Sequence, residues 1–159
     1  MTRSEHLENF RNGFEKLKAA LQNYPRNIFD YKPSPEKWSI HEVIIHMADS
    51  EVNSYARCRK IIAESGSSIM AYDQDKWAVD LNYTNQDMDV ALDLFGNLRI
   101  ATYELLKMIP EEKWNNHMMH PERGKVTLDE WLTIYSEHVD VHINQMNRNL
   151  EEWHKIKKN

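Results

Sequence analysis

Apolar residues recur at three- and four-residue steps through most of this chain. Leu7, Phe10, Phe14, Leu17 and Leu21 form a narrow stripe on a first helix that ends near Tyr24-Pro25. The proline-rich segment Tyr31–Trp38 then connects to a second helix from about Ser39 to Glu64, whose start is marked by the capping-box spacing of Ser39 and Glu42. Beyond the small, polar Ser65-Gly66-Ser67-Ser68, the stretch through Tyr72, Trp77 and Tyr83 has no clean period but several aromatics, and it reads as a long packed crossover. A third helix follows from about Met88 to Met108, with Leu92, Phe95, Thr102, Leu105 and Ile109 inward and Pro110 beyond its end. Thr127 and Glu130 open a fourth, whose stripe is Leu128, Trp131, Tyr135, His138, His142, Gln145 and Asn149.

These elements predict an all-α fold, an antiparallel four-helix bundle with a long crossover between helices 2 and 3. Four glycines and five prolines in 159 residues are too few for an all-β chain of many tight turns. The length suits one domain, 1–159, with its own core.

Two of the inward stripes change from apolar to polar midway. On the last helix the change falls at His138, and on the second Val43 is followed by His46, Ser50, Asn53 and Arg57. Polar groups facing a bundle core cost free energy unless paired, so two such stripes imply a shared wet pocket, a hydrogen-bond network or a metal. His138 and His142 lie one helical turn apart on one face, where two imidazoles reach a single ion. His46 would make the set three. Three histidines leave coordination positions open, as a catalytic centre requires; the plain alternative is histidines that are solvated or hydrogen-bonded. An all-imidazole protein set suits a first-row divalent ion, with zinc placed first and nickel, iron or manganese as alternatives.

Charge and cysteine content narrow the classes further. Against 25 Asp and Glu the chain has 20 Lys and Arg, so it lacks the basic field of a nucleic-acid-binding protein or a membrane-seeking surface. One cysteine, Cys58, excludes an internal disulfide and a cysteine metal cage, and with a polar N-terminus and no long apolar run it fits a soluble, cytoplasmic protein. Neighbouring Arg57 and Arg59 would lower the Cys58 pKa, whereas simple packing is the other reading.

Around the histidines, Asp49 follows His46 by three residues and is placed to act as general base, to orient a ligand, or only to hydrogen-bond within the fold. Asn53 and Arg57 are candidates to bind substrate; Arg57 suits a carboxylate or phosphate, or else a structural ion pair. Helical angles turn Glu51 and Glu137 away from the stripe, so both are expected to be surface charges. His41 belongs to the cap region. His117 and His120 fall in a loop before the last helix, where His120-Pro121 is placed to cover the pocket or the histidines are simply loop residues. Trp77, Tyr83 and Trp131 form an aromatic set expected to be half-buried, covering the pocket or contributing to a subunit contact.

Trp38-Ser39-Ile40-His41-Glu42-Val43-Ile44-Ile45-His46-Met47-Ala48-Asp49-Ser50-Glu51 resembles the second-helix motif of the DinB-like superfamily, and His138-Val139-Asp140-Val141-His142-Ile143-Asn144-Gln145 its HxxxHxxQ motif. Ala48-Asp49-Ser50, Asn53-Ser54-Tyr55 and His120-Pro121 are most similar to the YfiT-like branch, although that branch tends to carry more histidine on its last helix. The resemblance implies that His46, His138 and His142 ligate the metal. It also implies a homodimer, and a metal-dependent transferase that joins a bacillithiol-like low-molecular-weight thiol to an electrophile. The alternatives are a metal-dependent hydrolase and a non-catalytic bundle that binds a metal or small molecule. The expected partners are therefore a small-molecule thiol and an electrophile, with no nucleic acid and no membrane.

Overall fold

A computed structural model describes residues 1–157, so the last two residues of the expected 1–159 domain lie outside the described residues. Four long helices make the bundle: α1 (Arg3–Leu21), α2 (Ile40–Ala63), α4 (Met88–Leu106) and α5 (Leu128–Lys157). Their starts follow local chemistry. Ser39 and Glu42 form a reciprocal capping box at α2, Thr2 and Glu5 another at α1, and the Asp87 carboxylate accepts from the first amides of α4. Thr127 and Glu130 pair in the same way before α5.

Contacts between side chains give the helix directions. Arg3 meets Asp129 and Tyr24 meets Asn147, so α1 and α5 run parallel. Trp38 meets Asn149 and Arg57 meets Tyr135, so α2 and α5 run antiparallel. Phe14 packs on Phe95 while Phe10 bonds Arg99, which makes α1 and α4 antiparallel, and α2 and α4 run parallel. Around the bundle the order is α1–α5–α2–α4, with α1 facing α2 across one diagonal and α4 facing α5 across the other. Parallel neighbours cannot be joined by a tight loop, and this accounts for the long crossover over residues 64–87.

The crossover is more ordered than its sequence suggests, containing a short helix α3 (Gln74–Asp80) and a 3₁₀ turn (Tyr83–Asn85). The loop expected before α5 is in fact a hairpin, β1 (His117–His120) with β2 (Gly124–Thr127), in which His117 pairs with Thr127 and Met118 with Val126. Gly124 takes φ +72° at its turn, a conformation glycine adopts without a Cβ clash. The crossover binds the hairpin edge: Met119 N–H donates to Ser67 O at 3.0 Å, and Ile69 N–H to Met119 O at 3.2 Å.

The core has an apolar half at each end and a polar layer between. One half gathers Leu17, Ile40, Val43, Ile44, Met47, Phe95, Val139 and Met146; the other gathers Phe10, Ile61, Leu106, Trp114, Met118, Leu128 and Trp131. Between them lie Glu51 and Ser54 of α2, Arg99 and Thr102 of α4, and Ser136 and His142 of α5, all buried. Glu51, expected at the surface, is fully buried at 0% exposure, whereas Glu137 is exposed as expected. The Arg99 guanidinium donates to Glu51 Oε2 at 3.0 Å, to Phe10 O at 3.1 Å and to Tyr135 O at 2.6 Å, and it covers the Phe10 ring. Burial raises the Glu51 pKa and Arg99 opposes that shift. Gly13 gives the guanidinium room, since a Cβ there would lie 2.7 Å from Arg99 Nη1.

Tyr83 and Trp131, expected to be half-buried, are both at 0% exposure and cannot form a subunit contact; Trp77 is partly covered. Cys58 is packed in the core, where burial pushes its thiol up to about 12, so the two flanking arginines do not activate it. Among the described residues no helix is long and apolar enough to cross a membrane.

Candidate metal centre

His46, His138 and His142 converge in the polar layer: one ring nitrogen of each lies within 4.8 Å of the others. Helix α2 brings in His46 three residues after Val43, and α5 brings in the other two one turn apart, so an antiparallel helix pair supplies the whole set. The ring centroids of His46 are 5.6 Å from those of His138 and 4.9 Å from those of His142. His138 Nε2 and His142 Nε2 are 3.0 Å apart. Nitrogens bound at about 2.0–2.1 Å to one ion stand roughly 3.0–3.5 Å from each other. The α5 pair already has that spacing.

Around the rings the surroundings fit ligands. Trp38, whose carbonyl accepts from Asn149, packs its ring 4.6 Å from that of His46. His142 Nδ1 lies 2.8 Å from Gln145 Oε1, an acceptor, so this nitrogen carries the proton and Nε2 presents a lone pair to the other histidines. Both His46 nitrogens and His138 Nδ1 are buried with no hydrogen-bond partner. Buried imidazole nitrogens left unpaired are costly, and a shared ion would satisfy the set. Burial also holds the rings neutral, the form that ligates. His46 is pushed down to about 3 by burial and by His142, and His138 and His142 are lowered chiefly by burial.

A pocket of about 180 Å³ opens beside His138, lined by Ser50 and Arg57 of α2, Tyr72 of the crossover, His120 and Arg123 of the hairpin, and Tyr135 of α5. Arg57 lines this pocket, donating to Tyr135 Oη at 3.0 Å and to Met70 O at 2.9 Å. Asp49 and Asn53 are not part of this lining. The Asp49 carboxylate accepts from Tyr83 Oη at 2.5 Å, and the Asn53 amide is turned back onto Asp49 O at 2.9 Å. His41 contacts Gln86 O outside the pocket. Sequence reading did not single out Tyr72 and Arg123 as site residues. Both lie outside the bundle helices, where helical periodicity carries no information about facing.

Residues 9–146, which include all three histidines, match the family model of the DinB superfamily. Among curated relatives, a protein of Oceanobacillus iheyensis is 30% identical over 67% of this chain, a match spanning 61% of that relative. YfiT of Bacillus subtilis is 27% identical over 85% of this chain and 78% of its own. Both carry the provisional name of metal-dependent hydrolase. The solved structure of Bacillus subtilis YfiT, described as having an unusual four-helix bundle topology, superposes with a TM-score of 0.86 at 23% identity, over 95% of this chain and 87% of that one. A mycothiol-dependent maleylpyruvate isomerase superposes with a TM-score of 0.71 at 14% identity, over 92% of this chain and 61% of the isomerase; both likenesses are of fold. With a family match over most of its length and the ligand-type histidines inside it, the chain belongs to the DinB superfamily.

Proposed function

We propose that this chain is a metal-dependent enzyme that transfers a low-molecular-weight thiol of the bacillithiol type to an electrophile. The observation that carries the reading is the pocket itself. It adjoins His138, its wall offers guanidinium groups and hydroxyls, and the expected base Asp49 is engaged by Tyr83 instead of lining it. A divalent ion held by His46, His138 and His142 would lower the proton affinity of a bound thiol or water and so provide a nucleophile near neutral pH. Zinc suits three neutral imidazoles, with nickel, iron and manganese next. Thiol transfer needs no carboxylate base beside the nucleophile, and the likeness of fold to a mycothiol-dependent isomerase supports this reading.

The name shared by the relatives supports a second reading, hydrolysis of an ester or amide, in which Asp49 takes a proton from the attacking water. Metal analysis of untagged protein, then assays with a bacillithiol-type thiol plus electrophile and separately with esters and amides, distinguishes the two. Thiol consumption that survives Asp49→Asn supports transfer. Ester or amide turnover reduced about 10²–10⁴-fold by Asp49→Asn, with the metal retained, supports hydrolysis. A metal-loaded protein inactive in both assays would leave a non-catalytic binding bundle.

A further inference from the structure

Arg57 is partly buried and Arg123 exposed, and among the described residues neither forms an ion pair with a carboxylate. The two bonds recorded for Arg57 go to neutral oxygens, Tyr135 Oη and Met70 O, which hold the guanidinium in place without cancelling its charge. Five donors are available on a guanidinium, so donors remain. Beside Ser50, the Tyr72 hydroxyl lines the same pocket, buried and without a hydrogen-bond partner of ordinary geometry. A buried, unpartnered hydroxyl beside guanidinium groups that no carboxylate neutralises is a donor set that an anion would complete.

We infer that the pocket beside His138 is a carboxylate-binding subsite, in which Arg57 of α2 and Arg123 of the hairpin turn receive the carboxylate of the small-molecule substrate and the Tyr72 hydroxyl donates to it. This deepens the enzyme reading above and rests on it for the word substrate. Charge calls for an anion, and shape selects which one. The lining has two guanidinium groups against one carboxylate, Glu122, an excess of one positive charge. His120 adds none near neutral pH, since burial and Arg57 both lower its pKa. The excess calls for an anion, and a divalent ion held by the adjoining histidines would add to it. Planar carboxylates match the guanidinium fork.

Butyrate, its neutral isostere butyramide and inorganic phosphate, each titrated into metal-loaded protein and followed by amide NMR shifts of residues 117–127, test the subsite without any turnover assay. Butyrate is expected to shift these signals saturably, more tightly than phosphate, and butyramide not to do so. Arg57→Gln should weaken butyrate about tenfold and Arg123→Gln about threefold, with metal content unchanged. Equal binding of butyramide, tighter binding of phosphate, or butyrate affinity untouched by the arginine variants would each overturn the assignment. Butyrate bound only to the ion would fall in the last class. Arg123 is exposed, so its variant decides the matter even if Arg57→Gln does not fold. Butyrate binding with no thiol consumption would leave the subsite standing and remove the transferase reading; the reverse pattern would do the opposite.

Discussion

At His142 the two ring nitrogens face different partners, Gln145 on one side and His138 on the other, so the hydrogen bond to the amide determines which nitrogen is free to ligate. Gln145→Leu is expected to lower metal affinity roughly 10–100-fold while leaving the fold intact, whereas His138→Ala or His142→Ala should abolish binding. Competition against a metallochromic chelator measures both. Protonation gives a second prediction. Burial holds the folded pKa values of His46, His138 and His142 below that of a free imidazole, so between the unfolded value of about 6.5 and the folded values the unfolded chain binds more protons. The stability these rings contribute is therefore complete above about pH 6.5 and falls as pH drops below it, by at most about 1.4 kcal/mol per pH unit for each ring. Urea midpoints of the metal-free protein from pH 7.5 to 4.5 should show the fall, and His46→Leu should flatten it. These three residues were legible because a three-four pattern survives one change of chemistry: the stripe continues and only its polarity alters. Glu51 was not. It lies off the His46 stripe, but α2 packs against both α4 and α5 and buries far more than one face, so an angle that leaves one partner meets the next.

Among the elements, the pairing of α2 with α4 depends on Arg99, which sits on the inward stripe between Phe95 and Thr102 and touches α1, α2 and α5 together. Arg99→Met should cost about 3–5 kcal/mol because it leaves the Glu51 charge buried and unpaired, while Arg99→Met combined with Glu51→Leu should recover much of the loss. Equilibrium denaturation of the single and double variants provides the cycle. Equal losses in Arg99→Met and the double variant would show that the guanidinium acts through its carbonyl contacts and not through Glu51. The helices were readable from period and caps, and the observed α2 and α4 starts agree with the expected ones to within a residue. By contrast, the hairpin was missed. Its strands are four residues each, too short for alternation to declare itself; only Gly124 and the inward pair Met118 and Val126 hinted at it. His120 lines the pocket from the end of a strand, where the spacing of the sequence predicts only a loop.

For the whole molecule, the expected homodimer is a question of surface. With Tyr83 and Trp131 buried, any subunit contact must use other groups, and light scattering over a wide concentration range should report a dimer; monomer throughout would remove that expectation and leave the metal centre untouched. Helix order around the bundle could not be read from periodicity, because amphipathic stripes say which face is inward but not which helix it meets. That order, α1–α5–α2–α4, puts the sequence neighbours α1 and α2 on one diagonal and α4 and α5 on the other. Neither short-range connection thus yields a helical hairpin that can form early and wait for the rest; every principal interface must close a long stretch of chain first. This architecture should consequently refold more slowly than an up-and-down bundle of equal length and stability, with α1 docking only once α5 is in place. Stopped-flow refolding of a circular permutant that joins the end of α5 to the start of α1 would turn the parallel α1–α5 contact from the most distant in the chain into a nearer one, and a faster folding limb in that permutant would show where the kinetic barrier lies.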